Sequence, residues 1–98
     1  MAEITVTAGA PRGGDATFEV EVRDGAVTTS HTVTLPPRLG AELGWTDERA
    51  VELIEASFEF LLEREAATSV LRRFSLDVIG DYFPDYAGEM ARRAGTRA

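Results

Sequence analysis

The stretch "ATFEVEVRDGAVTTSHTVTL" (residues 16–35) decides the fold. From Ala16 to Arg23, Phe18, Val20 and Val22 alternate with Thr17, Glu19 and Glu21, the period-2 pattern of a strand that buries one face. Asp24 and Gly25 suit the positive backbone angles of a two-residue type I′ turn, and a second run rich in β-branched residues returns to Leu35. A hairpin is predicted. With Asp24 and Gly25 as the turn, Val22 faces Val27, Val20 faces Thr29, Phe18 faces His31 and Ala16 faces Val33. The opposite face pairs Glu21 with Thr28, Glu19 with Ser30 and Thr17 with Thr32.

This register bears on His31, the single histidine of a 98-residue chain that has no cysteine. His31 falls on the apolar face, opposite a phenylalanine, with no acid on that face of the hairpin to orient its second nitrogen. A general base needs an orienting partner and a metal ligand needs companions. His31 is expected to be packed, not catalytic.

Upstream, Ile4 and Val6 alternate with Glu3, Thr5 and Thr7, giving a further short strand. The intervening "GAPRGGD" (9–15) has the glycine spacing of a phosphate loop, but Asp15-Ala16 stands where Lys-Ser/Thr is required. A carboxylate there would repel phosphate, so the segment reads as a connection.

Downstream, Pro36-Pro37 stops the strand, and one helical turn is expected around Leu39 to Leu43. Thr46 is a candidate cap, and Asp47 and Glu48 suit the positive end of the dipole of a long helix reaching about Glu65. Val51, Ile54, Phe58, Leu61 and Leu62 share one face, Leu53 and Phe60 lie roughly opposite Val51, and Glu52, Glu55, Glu59 and Glu63 fill the remainder. The apolar arc spans about half the circumference, more than the stripe of about 100° that a sheet would cover. Leu53 and Phe60 therefore need a second cover, either the C-terminal segment or another molecule. With Trp45 they form the candidate interface.

Thr68-Ser69 and Ser75 are further cap candidates, so "TSVLRRF" and "SLDVIGDYF" read as two short helical pieces, the second ended by Pro84. Tyr86 and Met90 offer contacts in a last turn or two, and the tail is expected to fray from about residue 92. The expected architecture is α+β. One domain (1–98) holds a three-stranded antiparallel sheet (about 3–7, 16–23 and 26–35), packed by one long helix (about 47–65) and short C-terminal helices.

The chain carries a net charge of −7 with 44% apolar residues, an ordinary composition for a globular domain. All ten basic residues are arginine and lysine, asparagine and glutamine are absent, a bias that a G- and C-rich genome produces without any selection for phosphate binding. Thirteen acids against five arginines in residues 1–67 should repel nucleic acid, while residues 68–98 hold four acids and five arginines. The N-terminus lacks the basic start and apolar run of a signal peptide, and no apolar run approaches the about 20 residues of a membrane span. A cytoplasmic protein is the expectation.

Two segments resemble known groups. Residues 56–86, "ASFEFLLEREAATSVLRRFSLDVIGDYFPDY", resemble short uncharacterised bacterial proteins; the likeness implies a helix, a break and a helix, and no activity. Residues 31–65, "HTVTLPPRLGAELGWTDERAVELIEASFEFLLERE", resemble a ribbon-helix-helix repressor. That likeness implies a dimer whose strand enters the DNA major groove, with Thr32 and Thr34, and Ser30 just before them, as the presenting side chains. Two features depart from it. The stretch between Pro37 and Thr46 is short for that family's first helix, and the hairpin sets Glu19 and Glu21 beside the strand.

With one histidine, no cysteine and carboxylates mostly on solvated faces, no catalytic residue, cofactor or metal ligand is assigned, and an enzyme is not expected. The glutamates of the long helix read as a solvated face, not a cation site. The reading is a small non-catalytic interaction module, self-associating or binding another protein through Trp45, Leu53 and Phe60. The alternative is a ribbon-helix-helix-like transcription or antitoxin-type regulator.

Overall fold

The computed structural model describes residues 2–11 and 13–96, without the side chains of Asp47 and Thr96. Strands β1 (Glu3–Ala8), β2 (Ala16–Asp24), β3 (Val27–Leu35) and β4 (Arg73–Ser75) form one sheet in that order. Helices α1 (Leu39–Glu42) and α2 (Ala50–Leu62) connect β3 to β4, and α3 (Val78–Tyr82) and α4 (Tyr86–Thr96) follow. The class is α+β. The sheet, however, has four strands and is mixed: β1, β2 and β3 are antiparallel, while β4 runs parallel to β3 after the helical crossover.

The hairpin forms, with a different turn. Asp24 pairs with Val27, leaving Gly25 and Ala26 as the turn residues, and only Gly25 takes a positive φ (63°). A positive angle at the first central position alone is the requirement of a type II′ turn, which glycine meets without strain. The I′ alternative would have forced Asp24 into the left-handed region. Each strand residue consequently meets a partner two positions further on, so that Val20 faces His31 and Phe18 faces Val33. A shift of two preserves which side chains look inward. Phe18, Val20, Val22, His31 and Val33 are buried beneath the helices, and Glu19, Glu21 and Ser30 are exposed.

"TSVLRRF" is not a helix. Ala67–Ser69 is a single 3-10 turn, and the chain then extends into β4, where the Thr32 N–H donates to Arg72 O (2.7 Å) and the Leu76 N–H to Thr34 O (2.9 Å). One edge of β3 is thus paired with β2 along its length and the other with β4 over Thr32–Thr34, and α1 has only four residues. The outer edge of β3 is covered by β4 at Thr32 and Thr34, two of the side chains that the ribbon-helix-helix likeness implies.

A 3-10 turn (Asp47–Arg49) precedes α2, which ends at Leu62 and is shorter than the predicted 47–65. No side chain caps its first turn; the Thr46 carbonyl accepts the Arg49 N–H (3.0 Å) instead. The side chain of Asp47, expected near that end of the helix, lies outside the described residues. The buried arc of α2 includes Leu53, Ile54, Ser57, Phe58, Phe60 and Leu61. At about 100° per residue this arc is centred on Ser57 and leaves Val51 out, 37% exposed. Phe58 meets His31 and Phe74 on the sheet side, with ring centroids 5.3 and 6.0 Å away, while Phe60 meets Tyr86 and Phe83 edge-on at 5.4 and 5.8 Å.

The second cover is the chain itself. Helix α4 lays Tyr86, Met90 and Ala94, spaced four apart, over the α2 side opposite the sheet, and all three are buried. It remains helical through Thr96, beyond the position where fraying was expected, and Arg93 ties it to Glu63 (3.1 Å) and Glu59 (3.7 Å) of α2. Part of the acidic row of α2 is therefore paired instead of simply solvated.

Candidate binding groove

Trp45, Leu53 and Phe60 are 2%, 0% and 0% exposed. The arc that contains Leu53 and Phe60 does need a cover, but α4 and the residues before it supply it, so none of the three is on the surface of the folded chain. A short C-terminal lock places Trp45. Gly44, at φ 86°, ends α1 with Gly44 N–H bonded to Ala41 O (3.0 Å) and Trp45 N–H to Gly40 O (2.8 Å), the Schellman pattern. The reversal turns the indole inward, where Nε1 donates to Met90 O (2.9 Å) and the Arg49 guanidinium lies 4.4 Å from the ring.

His31 is held at both nitrogens. Nδ1 lies 2.8 Å from Leu71 O, and a carbonyl can only accept, so Nδ1 carries the hydrogen; in the neutral ring the Thr29 hydroxyl then donates to Nε2 (2.9 Å). Among the described residues no carboxylate is hydrogen-bonded or ion-paired to the ring, which is 3% exposed. Its role is to pin the backbone of residue 71 to β3.

A second buried polar pair sits between α2 and α4. Ser57 Oγ donates to Leu53 O (2.8 Å) and therefore accepts from the Tyr86 hydroxyl (2.7 Å). Burial pushes the Tyr86 phenol well above its ordinary range, with the Ser57 hydrogen bond opposing this more weakly. Ser57→Ala should cost about 1–3 kcal/mol by leaving that hydroxyl buried and unpaired, and Tyr86→Phe alone about 1 kcal/mol. The double variant should lose less than the sum, read by urea denaturation. The sign with pH follows from the raised value. Above about pH 10 the unfolded phenol ionises while the folded one does not, so stability falls as pH rises. Tyr86→Phe should flatten that alkaline limb.

The segment pinned by His31 forms one wall of a surface groove of about 200 Å³. Leu61 from the end of α2, Val70 and Leu71 from the crossover, Phe74 from β4, and Val78, Ile79, Tyr82 and Phe83 from α3 and its end line it, with Glu65 and Ser69 as the polar members. Leu71 is 51% exposed and Tyr82 68% exposed at this groove, and the lining is overwhelmingly apolar. The cap signals at Thr68-Ser69 suggested a helix over "TSVLRRF", which would have placed Leu71 differently. An exposed, extended Leu71 follows only from the pairing of β4 with β3.

On the far side of Glu65 lies a wide, shallow depression lined by Asp24, Glu59, Glu63 and Arg64, together with Ala2, Ile4 and Leu62. Among the described residues no group of histidine, aspartate and glutamate side chains could hold a metal ion, and no helix is long and apolar enough to cross a membrane. No family model, no curated protein and no solved structure matches this chain.

Proposed function

We propose that the protein is a non-catalytic interaction module whose docking surface is the groove between the end of α2, β4 and α3, occupied by an apolar side chain of a protein segment. The observation that carries this reading is the joint exposure of Leu71 and Tyr82 at an apolar concavity, in a chain whose other large apolar side chains are mostly covered. The volume argues for a side chain over a small molecule. Sites for cofactors and drug-sized ligands are about 300–1,000 Å³, whereas this one holds about 200 Å³. The polar groups in the lining are the Glu65 carboxylate and the Ser69 and Tyr82 hydroxyls, with no histidine or arginine among them.

Selection of a random peptide library on the immobilised chain tests the reading. Recovered peptides should share an apolar anchor. Leu71→Asp, a change at a half-exposed position, should weaken their binding by about 30-fold or more with little effect on Tm. Peptides that bind the variant equally well, or a library that yields none, would overturn the proposal.

A further inference from the structure

We infer that the segment docking in this groove carries a basic residue beside its apolar anchor and that Glu65 receives it; this rests on the groove reading above. Glu65 is half-buried where the apolar groove meets the shallow depression, and it lines both. Among the described residues neither Glu65 nor Asp24 makes an ion pair or side-chain hydrogen bond. By contrast, Glu59 and Glu63 are already engaged by Arg93. The nearest cation in the sequence, Arg64, is turned away: its guanidinium lies 3.7 Å from the Phe60 ring centroid and binds Asp85 (2.7 Å). The depression therefore presents two carboxylates held by Arg93, those of Glu59 and Glu63, and two, those of Asp24 and Glu65, without an ion pair among the described residues. Glu65 lies three residues beyond the C-terminal end of α2, its N–H still bonded to Leu61 O (2.9 Å), where the helix dipole adds negative potential.

Charge also separates the candidate occupants. A second copy would bring another −7 to an acidic rim, whereas a segment with arginine or lysine next to its anchor would lower the repulsion and steer its own approach. The occupant is therefore a basic, apolar segment of a different protein.

Three decapeptides identical except for the two residues flanking a central leucine, as arginines, serines or glutamates, test this by fluorescence anisotropy. The arginine peptide should bind about threefold to tenfold more tightly than the serine peptide at low salt, and the glutamate peptide should bind least. The advantage should shrink in high salt and in Glu65→Gln, and all binding should vanish in Leu71→Asp. Equal affinities for the arginine and serine peptides, unchanged in Glu65→Gln but lost in Leu71→Asp, would refute the basic partner and leave the groove standing. Failure of every peptide, or binding indifferent to Leu71→Asp, would remove the groove as well. A concentration-dependent dimer in light scattering that Leu71→Asp abolishes would give the site to a second copy and overturn the inference.

Discussion

Phe58→Ala should lower stability by about 3–5 kcal/mol, a large part of the roughly 5–15 kcal/mol that holds a domain of this kind together. Phe58 is fully buried at the point where three elements meet. Its ring packs against His31 of β3 and Phe74 of β4, while its backbone belongs to α2. Truncation removes apolar contacts from all three and leaves a cavity between helix and sheet, which neither the paired strands nor the helix can close without losing other contacts. At about 4 °C or more per kcal/mol for a domain of this length, Tm should fall by at least about 12 °C in calorimetry. An unchanged Tm would mean that α2 faces the sheet with a different set of side chains.

Trp45→Ala should cost about 3–5 kcal/mol, and its effect should be unevenly spread. The indole is buried, donates to the Met90 carbonyl in α4 and carries Arg49 over its ring, and Arg49 in turn donates to Ala94 O (3.2 Å). Removing it detaches two of the ties that hold α4 against the start of α2. The amides of α4 should therefore lose protection from hydrogen exchange more than those of β2 and β3. Trp45→Phe retains most of the apolar bulk and removes the N–H, so it should lose markedly less. Equal loss of protection in α4 and in the hairpin would show that α4 is no more dependent on Trp45 than the sheet is.

The parts of the fold legible in the sequence are those set by local chemistry. The alternation of Phe18, Val20 and Val22 with acids specified which side of β2 is inward, and this survived a wrong turn assignment because the register error was two residues, not one. Asp24-Gly25 was misread because both I′ and II′ turns accept glycine, and only the backbone angles distinguish its two places. The amphipathic arc of α2 was legible too, including the need for something to cover Leu53 and Phe60. The C-terminal segment was one of the two covers expected, with Tyr86 and Met90 among its contacts; what stayed open was the choice between it and another molecule, because the buried stripe of "YAGEMARRAGT" consists of only Tyr86, Met90 and Ala94.

β4 was illegible for a different reason. Three residues, two of them Arg73 and Ser75, carry little strand propensity of their own, and they are extended because β3 offers them hydrogen bonds. The groove inherits that dependence, since Leu71 and Phe74 reach its lining only through this pairing. His31 was read correctly as a packed group on the apolar face, although its partners, Thr29 and the Leu71 carbonyl, lie two and forty residues away and only the nearer one was within reach of sequence reasoning.

The parallel placement of β4 also makes the groove depend on a long-range closure. β1, β2 and β3 are joined by connections of seven and two residues, whereas β4 meets β3 only across the whole segment that contains α2, the costlier closure. The groove walls thus exist only where that crossover is closed. Any partner that recognises them reads a finished molecule, and a nascent or truncated chain lacking residues beyond Glu65 would present it with nothing to grip.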